Sequence, residues 1–333
     1  MRDLSISIHF VRAVLRHTVR LGVNPIGLLR KNRISPRLLK ESDARISIER
    51  FADLQVSTML AMEDEALGYA SRPMPIGTWS MMCHAVISCE TLGQALARHC
   101  RFIQLFAFDT YPRLLSEDKT TSIELAGTDQ QKEPEAYHCE TMLFNIHRFG
   151  SWLIQEHIPL QSVNLIYPPA AKTNDYRHMF RASPMAFEQQ ASKIVLATSL
   201  LDKPVVQNEQ SLRHYLRHPV LMMLTQDYVS RSWTTRVTEK VHHNLTDMPE
   251  LIAVADSLEI HPQTLRRRLS AEGVTFKEIK NQLRRDTALH LLGKHGLSIE
   301  EIAYRSGFSE ASAFIRAFKG WTGVTPYTYR KGL

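Results

Sequence analysis

The sequence predicts an α+β domain followed by an all-α domain that carries two helix-turn-helix motifs joined by a linker helix. Three observations carry this. Alternating apolar residues, the mark of strands, are confined to the stretch between Phe106 and Ala197, where helical periodicity interleaves with them. After Thr234 there is no strand pattern, and helix-start signals follow one another at short intervals. Within that last stretch, one helix pair repeats another 49 residues on.

Taken in order, Ile8, Val11, Leu15 and Val19 share one face of a first helix, and Asn24-Pro25 and Ser35-Pro36 mark breaks. A second helix runs from about Ser47 to Met62, with Phe51, Leu54 and Thr58 inward. Ser71 to Gly77 is a loop by its Pro and Gly content. Thr91 with Gln94 offers a capping box that opens a helix to about Leu105. Phe106–Leu115 and Thr121–Ala126 read as two strands around a turn at Ser116–Lys119. A helix follows from Glu133 to about Glu156, then alternation over Ser162–Tyr167, a short helix over Thr173–Phe180, and a strand at Lys193–Ala197. The division is residues 1–205 as the first domain, 206–233 as a partly helical linker, and 234–333 as the all-α domain.

Length and composition agree. At roughly 100–200 residues per domain, 333 residues predict two domains. Apolar residues are 44% and charged residues 23%, as in a globular chain rather than a disordered one. No apolar run approaches the ~18 residues of a membrane span, and the start Met1-Arg2-Asp3-Leu4 does not read as a signal peptide. Cys83, Cys89, Cys100 and Cys139 form no CxxC pair, which predicts a reduced, cytoplasmic protein without a disulfide scaffold or zinc ribbon. The formal charge is +7, and residues 234–333 hold 15 basic and 11 acidic residues. That excess suits a polyanion partner, but a solvated basic surface explains it equally well.

The pattern in the last hundred residues decides between them. Asp247-Met248-Pro249-Glu250, Thr275-Phe276-Lys277-Glu278 and Ser298-Ile299-Glu300-Glu301 each predict a capped helix start. Leu251–Ser257 leads through a short turn into Pro262–Ser270. Ile299–Ser306 leads through Gly307-Phe308-Ser309 into Glu310–Lys319. Leu265 and Leu269 recur as Phe314 and Phe318, each an i,i+4 pair, and Arg267 recurs as Arg316 on the opposite face. Two helices joined by a tight turn, the second bearing outward cations, make a helix-turn-helix, whose second helix can enter a major groove. Between the pairs, Phe276–Leu292 predicts a helix of about 25 Å. With its flanking helices it can hold two recognition helices about one DNA turn, ~34 Å, apart.

Residues 234–331 resemble the DNA-binding domain of the bacterial AraC/XylS transcriptional regulators. The residues that carry the resemblance are Leu265 to Leu269, Arg285, Ala288 to Leu292, Ser298 to Ala303, Gly307 to Glu310, Phe314 to Lys319, Gly323 to Pro326, Tyr329 and Arg330. Two positions depart from the pattern. Glu259 stands where the first turn usually has Gly, at a cost of about 1 kcal/mol if φ is positive there. His261 stands where a capping Ser or Thr is usual, so the first recognition helix is expected to fray.

The resemblance implies base contacts from Gln263, Arg266 and Arg267 in the first recognition helix, and from Ala311, Ser312, Ala313 and Arg316 in the second. Gln pairs with adenine and Arg with guanine through two hydrogen bonds. Arg268 and Lys319 are placed for phosphates, which position a protein without reading sequence. The implied partners are double-stranded promoter DNA, a second copy of the chain, RNA polymerase, and a small-molecule effector of unidentified structure. No cofactor and no membrane are implied.

The first two-thirds resemble the arabinose-binding N-terminal domain of OruR/VirS-like regulators in the same family. The matching stretches are Ile46 to Phe51, Leu67 to Tyr69, Gly77, Cys83 to Ala85, Thr91 to Leu96, Tyr176 to Phe180 and Leu200 to Pro204. This implies a sensor and dimerisation module. Trp79, Phe102, Phe106, Phe108, Tyr111, Tyr137, Phe144 and Trp152 have the composition of an apolar pocket, though their spacing suits core better. Cys83-His84, His99-Cys100 and His138-Cys139-Glu140 match no metal-ligand spacing, and no metal is expected. Two further readings stand beside a ligand-responsive regulator: an architectural DNA-binding protein whose first domain only dimerises, and an enzyme fused to a DNA-binding domain. GxSxG, HExxH, GxxxxGK and GxGxxG are absent from the chain, so an enzyme is not expected.

Overall fold

The computed structural model describes residues 5–106, 108–127, 135–169, 176, 179–180, 183–226, 233–243, 245–272, 274–294 and 296–331. Its contacts group the chain into two compact units. One comprises residues 1–12, 26–54 and 229–333, the other residues 13–25 and 55–228.

The second unit is built on a five-stranded sheet: β3 (Thr110–Ser116), β4 (Thr120–Gly127), β5 (Leu160–Asn164), β6 (Met185–Ala186) and β7 (Lys193–Ala197). The strand order is β3-β4-β7-β5-β6, antiparallel throughout except for the parallel β5–β6 pair. Ile194 at the centre stands opposite Ile123 on β4 and Val163 on β5, and all three are buried. That alternation made these strands visible in sequence. The first strand of the hairpin starts later than expected, at Thr110 rather than Phe106. Phe108 is nonetheless buried.

Helix α6 (Ala136–Leu153) is the hub of this core, since nearly every side chain from Cys139 to Leu153 is buried. Gly150 lets neighbours close on it: an added Cβ would lie 3.2 Å from Ile158 Cδ1 and 3.4 Å from Leu96 Cδ2. Helix α5 (Leu92–Gln104) starts at the expected cap, with Gln94 N donating to Thr91 Oγ1 at 3.3 Å. Helix α4 (Thr78–Val86) carries no early sequence signal. It is capped from a distance by Glu65, which accepts from Gly77 N and Trp79 N at 2.7 Å each. The expected partly helical linker contains α7 (Glu209–Tyr215) and α8 (Pro219–Thr225). The short helix expected over Thr173–Phe180 falls largely outside the described residues.

In the first unit, β1 (Ser5–Ser7) pairs antiparallel with β2 (Arg45–Ser47). Helix α1 (Ile8–Leu15) ends before Val19, which is 72% exposed rather than on the buried face. Helix α2 spans Pro25–Lys31, and α3 (Ile48–Met62) buries Phe51, Leu54 and Thr58 as the spacing predicts.

The C-terminal stretch is all helix among the described residues: α9 (Trp233–His243), α10 (Leu251–Ser257), α11 (Pro262–Ala271), α12 (Phe276–Leu292), α13 (Ile299–Arg305), α14 (Ala311–Thr322) and α15 (Pro326–Lys331). The expected cap at Asp247 is not used. Helix α10 begins at Leu251, behind Met248 in a left-handed conformation (φ 44°), and Glu250 pairs instead with Lys280 at 3.0 Å.

The N-terminal strands pack on α12. Ser5 Oγ donates to the buried Asp286 carboxylate, and the Arg45 guanidinium donates to Ser5 Oγ and Ser5 O. Glu49 pairs with His290 at 3.8 Å. Burial pushes the Glu49 carboxyl up, but the hydrogen bond from His290 and its neighbours outweighs this and holds it below the usual range. The contact grouping thus places residues 1–12 and 26–54 with residues 229–333. Periodicity reports that a face is buried, not which segment buries it.

Candidate nucleic-acid interface

The two helix-turn-helix motifs share a turn. In the first, Glu259 N donates to Asp256 O at 3.0 Å and Ile260 N to Ala255 O at 3.1 Å. In the second, Gly307 N donates to Tyr304 O at 2.9 Å and Phe308 N to Ala303 O at 3.0 Å. Both turns place the residue after the helix in the left-handed region, Glu259 at φ 56° and Gly307 at φ 78°. This is the usual way to end a helix and satisfy its last carbonyls. The sequence thus placed a non-glycine where a positive φ is needed.

The repeat holds one irregularity. Buried Val254 and Ala255 correspond to Ile302 and Ala303, 48 residues on, whereas Leu265 and Leu269 correspond to Phe314 and Phe318, 49 residues on. The second turn is one residue longer. Its second helix is entered at Glu310, with no side-chain cap. The first recognition helix has a side-chain cap despite lacking Ser or Thr there. His261 is its N-cap, accepting from Gln263 N through Nδ1 at 3.2 Å, and Pro262 occupies the first helical position.

Each second helix buries one stripe and exposes another. Leu265, Leu269, Phe314 and Phe318 are at most 1% exposed. Gln263, Arg266, Arg267 and Arg268 on α11 are all turned away from that core, with the three arginines exposed, as are Ser312, Arg316 and Lys319 on α14. Gln263 is exposed as well, while Ala311 and Ala313 are half-buried. Ser312 Oγ donates to Glu310 Oε2 at 3.2 Å. Arg268 is engaged by a neighbour, its guanidinium carbon 4.1 Å from the Trp233 ring centroid. Helix α12 spans Phe276–Leu292 as predicted, with the reciprocal Thr275–Glu278 capping box formed and Ile279, Leu283, Ala288, Leu291 and Leu292 buried. Its Arg284 donates to Gly307 O at 2.9 Å and lies over the Phe308 ring, which ties the linker helix to the second turn. Sequence reasoning missed Arg284 and Trp233, because neither is marked by the repeat.

Residues 22–205 match the arabinose-binding domain of AraC transcription regulators, N-terminal, and residues 254–332 match a helix-turn-helix domain. The chain belongs to the AraC family of transcription regulators. It is 24% identical over 328 residues to the ornithine utilization regulator of Pseudomonas aeruginosa, covering 98% of this chain and 96% of that one. Over 78 residues it is 44% identical to the HTH-type transcriptional regulator VirS of Mycobacterium tuberculosis, 23% of each chain. Among solved structures it is similar to the transcriptional regulator CdpR of Pseudomonas aeruginosa, at 21% identity, 92% and 96% coverage and a TM-score of 0.32. These relatives are named as regulators, not enzymes.

The remaining chemistry of this AraC-family regulator lies in its second unit. Of the pocket aromatics, Phe108, Phe144 and Trp152 are buried, and Trp79 and Phe102 pack half-buried against the core. Trp152 also lines an open groove of about 460 Å³ with Asn208, Gln210, Ser211, His214, Tyr215 and Met222. Glu140 is fully buried and accepts from Tyr176 OH at 2.7 Å; burial lifts its carboxyl to about 7. Burial likewise pushes the Cys100 and Cys139 thiols up to about 12, and raises Cys83 and Cys89. A reactive cysteine needs the opposite shift. Among the described residues no group of three or more His, Cys, Asp or Glu is placed to hold a metal ion. Nor is any helix long and apolar enough to cross a membrane.

Proposed function

We propose that this regulator binds promoter DNA by laying α11 and α14 into successive major grooves on one face of the duplex. The carrying observation is the repeated arrangement in which Arg267 and Arg316 stand exposed at the same offset from two buried i,i+4 pairs. A single surface Arg would mean little; the same cation on the same face of two matched motifs is what paired groove recognition requires. Gln263, Arg266 and Arg267 read bases from the first helix. Ala311, Ser312, Ala313 and Arg316 read from the second, where small side chains favour close approach and thymine-methyl contact. Lys319 contacts phosphate.

Residues 234–333 form the DNA-binding domain in this reading, residues 206–233 join it to residues 1–205, and those first residues dimerise and take up a small-molecule effector. The bound state then helps or hinders RNA polymerase. The test is enrichment of genome fragments by the full-length protein at physiological salt, followed by footprinting. Half-sites protected over two successive major grooves are the expected result. Diffuse binding that disappears with modest salt would leave only the electrostatic attraction of a basic protein for DNA. Effector uptake is read separately, as ligand-dependent thermal stabilisation of the full-length protein, since a ligand of the folded state raises its apparent stability.

A further inference from the structure

The C-terminal end of α11 is fastened in a way that α14 is not. Helix α11 closes at Glu272, whose N–H donates to Arg268 O at 3.2 Å. The Glu272 carboxylate reaches back to the start of α9. It accepts from Trp233 N and Thr234 N at 2.8 Å each, and from Thr234 Oγ1. It therefore caps α9 from a distant segment, at the end of the helix where the dipole favours negative charge. The indole of Trp233 meanwhile takes two guanidinium groups, Arg268 at 4.1 Å and Arg236 at 4.2 Å from the ring centroid. Tryptophan offers the best aromatic face for such a contact.

Helix geometry lets one edge of α11 face Trp233, and Arg268 stands on that edge. Consecutive residues turn by about 100°, so Arg266, Arg267 and Arg268 cannot share one outward direction. Arg268 lies beside the buried Leu265–Leu269 stripe, which faces the core that includes Val237 and Val241 of α9. Arg266 borders the other edge of that stripe, and Arg267 lies on the far face. Helix α14 ends otherwise, at Gly323 in the left-handed region (φ 78°) with its N–H donating to Lys319 O.

We propose that Trp233 and Glu272 are positioning residues for DNA recognition, locking the first recognition helix to α9, and that Trp233 holds Arg268 as part of this lock rather than leaving it to phosphate. The two ends of the lock sit at the first residue of α9 and at the residue that closes α11. Strain at Trp233, where α9 begins, is thus passed directly to the reading helix of the first motif and not to that of the second. This rests on the proposed docking of both helices in DNA.

The experiment is half-site footprinting across a salt series, using full-length protein on a fragment enriched by the wild type. Trp233→Ala and Glu272→Gln are expected to weaken protection of one groove segment about tenfold and leave the other unchanged, with Trp233→Phe retaining most of the protection. Arg268→Ala is expected to leave the salt slope at the wild-type value. A slope flattened by about one unit would assign Arg268 to phosphate instead. Unaltered protection in both Trp233→Ala and Glu272→Gln, or equal loss over both grooves, would overturn the lock. Thermal unfolding identifies a Trp233→Ala chain that has lost its fold, in which case Glu272→Gln decides. A wild type that protects only one groove defeats the docking itself, whereas a two-groove wild-type footprint with unaffected variants defeats only the lock.

Discussion

The first helix-turn-helix motif packs aliphatic side chains where the second packs aromatic ones. Leu265 and Leu269 join Val254, Leu258, Ile279 and Leu283 in one core. Phe314 and Phe318 instead pack with Phe308 and Tyr329 in tilted and edge-to-face pairs, at ring centroid separations of 5.4 to 5.7 Å. The turns contrast in the same way. Glu259 is exposed and holds its positive φ with a side chain in solvent, while Gly307 is hemmed in. A Cβ on Gly307 would lie 2.6 Å from Leu245 O and 2.9 Å from Met248 Cε. The lesson is that a left-handed turn does not by itself demand glycine. Close approach of neighbouring backbone does, and only the second turn has it.

That contrast is most sharply tested at the turns. Gly307→Ala combines an unfavourable φ with overpacking against a carbonyl, and is expected to cost about 2–4 kcal/mol in chemical unfolding. Arg284 would also be displaced from Gly307 O. A Gly307→Ala chain that unfolds at the wild-type midpoint would show that Leu245 and Met248 yield freely. The next largest effect concerns reading. Arg267→Ala is expected to lose roughly 1–3 kcal/mol at one base position, and Arg316→Ala a similar amount at a base in the adjoining groove. Binding measured on single-base variants of the operator checks this; uniform loss on every sequence would assign the residue to phosphate.

Smaller effects separate the starts and turns of the first motif. His261→Ala removes the cap on Gln263 N and is expected to destabilise by about 1 kcal/mol. The same unfolding assay with Glu310→Ala should show little change, because Glu310 makes no side-chain cap bond. Glu259→Gly relieves the left-handed strain and is expected to stabilise by about 1 kcal/mol or less. A loss of stability there would mean that the glutamate side chain contributes more than its backbone costs. Last, Lys319→Ala should weaken binding on all sequences alike and flatten the plot of log K against log salt by about one unit.

Much of this was legible in the residues. The double repeat, the linker helix to its terminal residues, the Thr275 and Ser298 caps and the strand at Lys193–Ala197 all follow from local signals, because capping and side-chain periodicity act over three or four residues. Of the candidate interface, the outward placement of Arg266, Arg267, Arg316 and Lys319 was readable from the buried pairs beside them. The fate of Arg268 was not, since Trp233 lies 35 positions away and nothing local announces a cation–π partner.

The sequence by itself determined the helices of the C-terminal stretch, the strand at Lys193–Ala197 and which face of each recognition helix is apolar, because those follow from the pitch of the backbone and the chemistry of adjacent residues; it marked neither α4 nor the β1–β2 pair. Only the tertiary structure decided the rest. It showed that His261 serves as a cap and that Asp247 does not. It brought Ser5, Arg45 and Glu49 against α12, and a carboxylate at Glu272 to the start of a helix 39 positions earlier. Such contacts are set by which buried faces meet, and residues far apart in the chain carry no record of that meeting in their own neighbourhood.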